Sequence, residues 1–213
     1  MPLPSIQCSD LMLATLGKRP FNDAHWIFEL KYDGYRCLVR KSGGLVELLS
    51  RNCNQLGGSF PDVVAAVAGI PGDFVLDAEL TVDEPNGRSS FEWLRRRAVT
   101  KTAGAVRAAA ARHPARLYFF DALCIGDEDL RGLPLEERKG HLRDLFDDTK
   151  TMIVATGIVG EGRWVFDQAA AHDLEGMVAK RLDASYQRGR SRDWIKVKNP
   201  DYSRREALGW GTV

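Results

Sequence analysis

A run of charge set between two strand-like apolar segments constrains this chain more than any other feature. The run is Glu29-Leu30-Lys31-Tyr32-Asp33-Gly34-Tyr35-Arg36; Trp26-Ile27-Phe28 leads into it and Cys37-Leu38-Val39 leads out. In an extended chain alternate side chains share a face, so Glu29, Lys31 and Asp33 are expected on one side and Leu30 and Tyr32 on the other. A carboxylate two residues before a lysine is most often a surface ion pair, worth about 0–1 kcal/mol. The order Lys-x-Asp-Gly-x-Arg, with several matching elements further along the chain, takes this stretch beyond that ordinary reading.

Strand signals fall at about 26–32, 34–41, 45–50, 74–80, 117–123, 176–180 and 194–198. Helix signals fall at about 61–68, 91–97, 102–112, 135–146 and 164–171. Pro61 fits the first turn of its helix, where a missing N–H costs little. Ser42-Gly43-Gly44 reads as a hairpin turn. Strands and helices mix without regular βαβ alternation, so the expected fold class is α+β, with antiparallel sheets flanked by helices. Residues 1–24 read as an N-terminal arm with one short helix, 25–200 as the main domain, and 201–213 as a tail.

Net charge is +1 and decides nothing, but its distribution does. From Arg95 to Arg116 there are seven basic residues and no acidic ones, so basic surface is available in patches. Cys8, Cys37, Cys53 and Cys124 show no Cys-x-x-Cys spacing. Reduced thiols are therefore expected, with neither a disulfide framework nor a zinc site. Residues 1–5 lack the charged and apolar regions of a leader. No run reaches the ~18 apolar residues of a membrane helix, so a cytoplasmic protein with no membrane partner is expected.

A lysine attacks only when neutral, and its reference pKa of about 10.4 means that a catalytic one needs desolvation or cationic neighbours. Lys31 has such neighbours in Arg36 and, if the last strand lies beside it, in Lys196 and Lys198. The last two alternate with apolar residues and so share a face, as a phosphate cradle or as the guard of an exposed edge. Glu79 and Glu175 each stand at a strand end among apolar residues. Each alone is an ordinary acid; together they could hold Mg²⁺, which takes one or two carboxylates plus phosphate oxygens. In Tyr118-Phe119-Phe120-Asp121, Tyr118 and Phe120 are expected on one face, either in the core or offered to a base.

These elements, taken in order, resemble the nucleotidyltransferase (adenylation) domain of ATP-dependent DNA ligases, relatives of RNA ligases and mRNA capping enzymes. Lys31-Tyr32-Asp33-Gly34-Tyr35-Arg36 is similar to the family's Lys-x-Asp-Gly motif. Ser50-Arg51-Asn52 matches the next, with Cys53 where glycine is usual. Asp77-Ala78-Glu79-Leu80 resembles the third, with alanine for the commoner glycine. Phe119-Phe120-Asp121 corresponds to the aromatic motif and Glu175-Gly176-Met177-Val178-Ala179-Lys180 to the fourth. Tyr186–Ser191, running into Trp194–Lys198, resembles the approach to the fifth. Single motifs of this length arise by chance; six in order across residues 29–198 do not.

The resemblance implies roles. Lys31 would attack the α-phosphate of ATP and keep AMP as a lysyl phosphoramidate. Glu29 would accept from the adenine amino group, favouring ATP over GTP, and Phe120 would stack on the base. Arg51 and Glu79 would lie around the ribose, with Glu79 and Glu175 as Mg²⁺ ligands. Arg36, Arg190, Lys196 and Lys198 would hold phosphate charge. The fold implied is the ATP-grasp-like ligase adenylation domain. Only 15 residues follow Lys198, too few for the OB-fold domain that ends family ligases, so that domain is expected to be absent, either by truncation or in a stand-alone catalytic domain. Implied partners are nicked duplex DNA and a separate OB-fold or end-joining protein, and the implied route is DNA repair. RNA ligation, RNA 5′-end modification and a non-catalytic nucleotide-binding module remain the alternatives.

Overall fold

The computed structural model describes residues 3–204. Its strands are β1 (Met12–Leu16), β2 (Trp26–Leu30), β3 (Tyr35–Ser42), β4 (Leu45–Ser50), β5 (Phe74–Val82), β6 (Ala115–Ile125), β7 (Glu128–Asp129), β8 (Met152–Val154), β9 (Gly157–Val159), β10 (Gly176–Arg181) and β11 (Gly189–Lys198). The helices are α1 (Pro61–Ala68), α2 (Phe91–Val99), α3 (Ala103–Arg112), α4 (Leu135–Leu145) and α5 (Gly162–Ala171), with short 3-10 turns between elements.

The strands form two sheets, ordered β1-β11-β10-β2-β9 and β4-β3-β5-β6-β7, with β8 added beside β6. Pairing is antiparallel except for β1 with β11 and β6 with β8. The expected α+β class, two largely antiparallel sheets with helices against them, is what the chain adopts. β5 lies between β3 and β6, and eight of its nine residues are buried, which is why it reads as a nearly continuous apolar run. The largest apolar cluster packs the second sheet against α1, α2 and α4. A second cluster joins Leu38, Val75 and Leu123 of that sheet to Met12 and Trp194 of the first, and so holds the sheets together. A third seats α5 on the first sheet through Phe28, Val165 and Met177.

Four features depart from the sequence reading. Residues 12–16, placed in the arm, form β1, an edge strand of the first sheet. β8 and β9 have three residues each, too short to show a period. β2 ends at Leu30, so Lys31–Asp33 do not continue strand alternation. Cys8 and Cys53 are joined in a disulfide with Cα atoms 5.6 Å apart, contrary to the expectation of four reduced thiols. Spacing rules miss this pair because its members are 45 residues apart and meet only when the N-terminal turn folds onto the end of β4. Cys37 and Cys124 are free and buried, as expected. Of the tail read at 201–213, residues 205–213 lie outside the described residues, as do residues 1–2 of the arm.

Candidate active site

Because β2 belongs to the first sheet and β3 to the second, the turn Lys31–Gly34 is where the chain first crosses from one sheet to the other. Lys31 N–H donates to the Gly176 carbonyl at 2.9 Å, which ties the turn to the start of β10. A Cβ on Gly34 would strike the backbone carbonyl of Leu80 in β5, so only glycine permits so close a crossing. Gly176 has φ +137°, and a Cβ there would strike the Val197 carbonyl. The glycines of both motifs thus set backbone contacts around Lys31.

A cleft of about 790 Å³ opens over this crossing, lined from both sheets. Of the residues expected at the site, Glu29, Lys31, Arg36, Arg51, Glu79, Phe120, Arg190 and Lys196 line it. Lys198 instead lines a neighbouring depression, shared with Arg190 and Lys196, and its Nζ is 4.0 Å from Glu175 Oε1.

Lys31 Nζ donates to Glu175 Oε2 at 2.6 Å. Glu79 lies near the same lysine. Burial raises its carboxyl to about 7; Lys31 and Arg36 oppose the rise, and Glu175 and Asp77 add to it. Two carboxylates thus share a lysine. Among the described residues no three or more His, Cys, Asp or Glu side chains gather into a metal cage. Mg²⁺ needs only one or two carboxylates when phosphate oxygens complete its shell, and Glu79 and Glu175, which interact electrostatically, are the pair that would hold it.

Arg36 stands opposite Glu79 in the β3–β5 register. Its guanidinium is committed to Asp77, with Nε to Oδ1 at 2.7 Å and Nη2 to Oδ2 at 2.6 Å, and it also donates to the Met12 carbonyl at 2.9 Å. In this state Arg36 is a half-buried link between the sheets, and phosphate would have to share it. Arg190 donates to the Ala14 carbonyl at 3.0 Å. Burial lowers the Lys196 ammonium, and Lys31, Lys198 and Arg190 lower it further, as expected for cations on one face.

Phe119 and Phe120 point apart as alternation requires: Phe119 packs in the core and Phe120 lines the cleft. Pairing with β5 runs from Asp77↔Asp121 directly to Ala78↔Phe119, so Phe120 is the extra residue of a β-bulge. Its ring has Lys180 Nζ 4.2 Å and Arg36 Cζ 5.0 Å from its centroid.

Glu29 is buried, between two lysines that sequence reasoning did not assign to it. Lys139 Nζ on α4 lies 2.5 Å from Oε1, and Lys180 Nζ on β10 lies 2.6 Å from Oε2. Burial alone would raise the Glu29 carboxyl, yet Lys139 and Lys180 hold it below its usual range. Burial lowers Lys180 to about 8 despite Glu29. Tyr32, stacked on Tyr118 with centroids 3.8 Å apart, closes the wall beside Lys31. Local pattern could not pair Glu29 with Lys139, 110 residues away, although Lys180 ends the fourth motif.

Arg51 sits exposed in the turn after β4, on the cleft rim. Cys53, where the family usually has glycine, has φ +59°, a left-handed conformation that glycine adopts freely. Here a cysteine adopts it and is tied to Cys8.

The family described as "ATP dependent DNA ligase domain" matches residues 12–198. The chain is 33% identical over 187 residues to the SPbeta prophage-derived DNA ligase-like protein LigB of Bacillus subtilis, covering 87% of this chain and 66% of that protein. It is 34% identical over 190 residues to the multifunctional non-homologous end joining protein LigD of Pseudomonas aeruginosa, covering 87% of this chain but 21% of that one. Among solved structures, a mycobacterial DNA ligase D complexed with ATP and MES superposes with a TM-score of 0.74 at 29% identity, over 89% of this chain and 60% of that one. The chain thus spans between a fifth and two thirds of these relatives. With the match running from β1 to the end of β11, through every element that lines the cleft, this chain belongs to the ATP-dependent DNA ligases, as their adenylation (nucleotidyltransferase) domain.

Proposed function

We propose that this domain takes AMP from ATP onto Lys31 and passes it to the 5′-phosphate of nicked DNA. The observation that carries the reading is the 2.6 Å contact between the cleft-lining Lys31 Nζ and the buried Glu175 behind it. In the first step the Lys31 nitrogen forms a bond to the α-phosphorus as the bond to pyrophosphate breaks. Glu175 is the base within reach of the proton that Lys31 must lose. Glu29, held ionised by Lys139 and Lys180, is an acceptor suited to the adenine amino group. Phe120 offers its ring to the base, and Arg51 and Glu79 flank the ribose side. Arg190, Lys196 and Lys198 supply positive charge, as phosphoryl transfer requires. Mg²⁺ held by Glu79 and Glu175 would neutralise phosphate charge.

AMP then moves to the 5′-phosphate at a nick, and the 3′-hydroxyl displaces it to form the phosphodiester bond. Likeness to an end-joining ligase supports a place in DNA repair, with an end-joining or OB-fold protein as partner. Sealing assays on nicked DNA, nicked RNA and hybrid duplexes test this. The expected result is an adenylated 5′ end on nicked DNA, lost in Lys31→Ala. Adenylation of RNA ends with none on DNA would overturn the substrate assignment.

A further inference from the structure

The segment 199–204, which follows β11, folds back over the nucleophile turn. Asn199 N–H donates to the Glu175 carbonyl at 2.9 Å, and its side chain donates to the Leu174 carbonyl at 3.2 Å. Ser203 N–H donates to Asp173 Oδ1 at 2.8 Å. Beyond these backbone ties, two side chains converge on Asp33, which is only 6% exposed. Tyr202 Oη donates to Asp33 Oδ2 at 2.8 Å. Arg204 grips the same carboxylate with both Nε and Nη2, one on each oxygen, while its guanidinium lies 4.0 Å from the centroid of Phe91 on α2.

Asp33 is two residues from Lys31 in a turn that no strand ladder holds, since β2 ends at Leu30 and β3 begins at Tyr35. Its anchors are Lys31 N–H on Gly176, the close packing of Gly34 on Leu80, the stacking of Tyr32 on Tyr118, and the carboxylate of Asp33. The first of these runs to β10 and the second to β5. The Arg204 fork joins the turn to α2 and to the segment that also grips the backbone at Glu175.

We propose that Arg204 is a positioning residue for Lys31: by clamping Asp33 it fixes the turn that aims the lysine amine at the bound nucleotide. This rests on the reading of Lys31 as the nucleophile. Arg204 touches neither Lys31 nor any cleft-lining group expected to hold ATP, so its loss acts on the aim of the amine rather than on nucleotide binding. A misplacement of about 1 Å at a reacting atom costs about 10²-fold in rate.

The test is single-turnover self-adenylation of Arg204→Met, Arg204→Lys, Asp33→Asn and the double variant Asp33→Asn/Arg204→Met across a range of ATP concentrations. Arg204→Met should lower the maximal rate by about 10–100-fold with half-saturating ATP within about twofold of wild type. Arg204→Lys, which keeps the charge without the fork, should recover part of the rate, and serves if the methionine variant does not fold. The double variant should be no slower than the slower single one, because both remove one interaction. Arg204→Met reacting at the wild-type rate overturns the proposal, as does a defect confined to half-saturating ATP or a double variant whose losses multiply. If the wild-type domain itself forms no adduct, the nucleophile reading fails and the proposal falls with it; if the adduct forms and Arg204→Met matches wild type, the proposal alone falls.

Discussion

At the scale of single residues, Glu79 shows how the site trades stability for chemistry. Its carboxyl is raised from 4.5 to about 7, first by burial and then by Glu175 and Asp77. Between those values the unfolded chain has released the proton and the folded chain keeps it, so the folded state binds more protons and stability falls as pH rises. The penalty is absent below about 4.5 and complete above about 7. Glu79→Gln removes it. In buffer with EDTA the variant should be more stable than wild type at pH 8, by about 1–3 kcal/mol, with the gap closing towards pH 5. Thermal melts at the two pH values check this. A variant less stable at pH 8 would mean that Glu79 is not the strained carboxylate of the site. Added Mg²⁺ should narrow the gap from the other side, by stabilising wild type alone.

At the scale of elements, the bulge in β6 and the turn after β4 place the groups proposed to meet the base and the ribose. Removing the ring with Phe120→Ala should weaken half-saturating ATP by about 5–150-fold, the range of about 1–3 kcal/mol for stacking on an aromatic side chain, while the adduct still forms at high ATP. Equal ATP dependence in the two proteins would place the base elsewhere. The Cys8–Cys53 bond closes a loop of 45 residues. By chain entropy it contributes about 4 kcal/mol. A Cys8→Ala/Cys53→Ala variant should therefore show a clearly lower urea midpoint, and dithiothreitol should shift wild type but not the variant. Unchanged midpoints would show that the bond does not form in solution.

The same scale shows what local pattern reveals. β5, β6 and α4 announce themselves because each runs for nine to eleven residues, the two strands as long apolar-rich runs and the helix by its helical apolar spacing. β1 does not, because Met12–Leu16 draws its partner from β11, more than 170 residues later. The site was legible as motifs because Lys31 and Glu175 stand just beside strand ends and Glu79 and Phe120 stand inside apolar strands, where a lone carboxylate or paired rings mark a short motif. Their electrostatic partners were not. Arg36 with Asp77, Glu29 with Lys139, and Asp33 with Arg204 are separated by 41, 110 and 171 residues. Each pairing is decided by which strands and helices become neighbours. For Arg36 this changes its role in the resting state, from a waiting phosphate ligand to a bridge between β5 and β1.

At the scale of the molecule, the chain passes between the two sheets twice, from β2 to β3 and from β8 to β9, and the first crossing is the stretch Glu29–Arg36. The charge between apolar strands arises because the chain leaves one sheet and enters the next there, opening a cleft lined by both. Among the described residues no helix is long and apolar enough to cross a membrane. The central claim is that Lys31 at this crossing is adenylated. The most direct measurement is the intact mass of the protein after incubation with ATP and Mg²⁺, followed by peptide mapping. The predicted result is a mass gain of one AMP, located on Lys31, acid-labile as a phosphoramidate, and absent from Lys31→Ala. An unmodified protein at saturating ATP, or an adduct mapped to another residue, would contradict it.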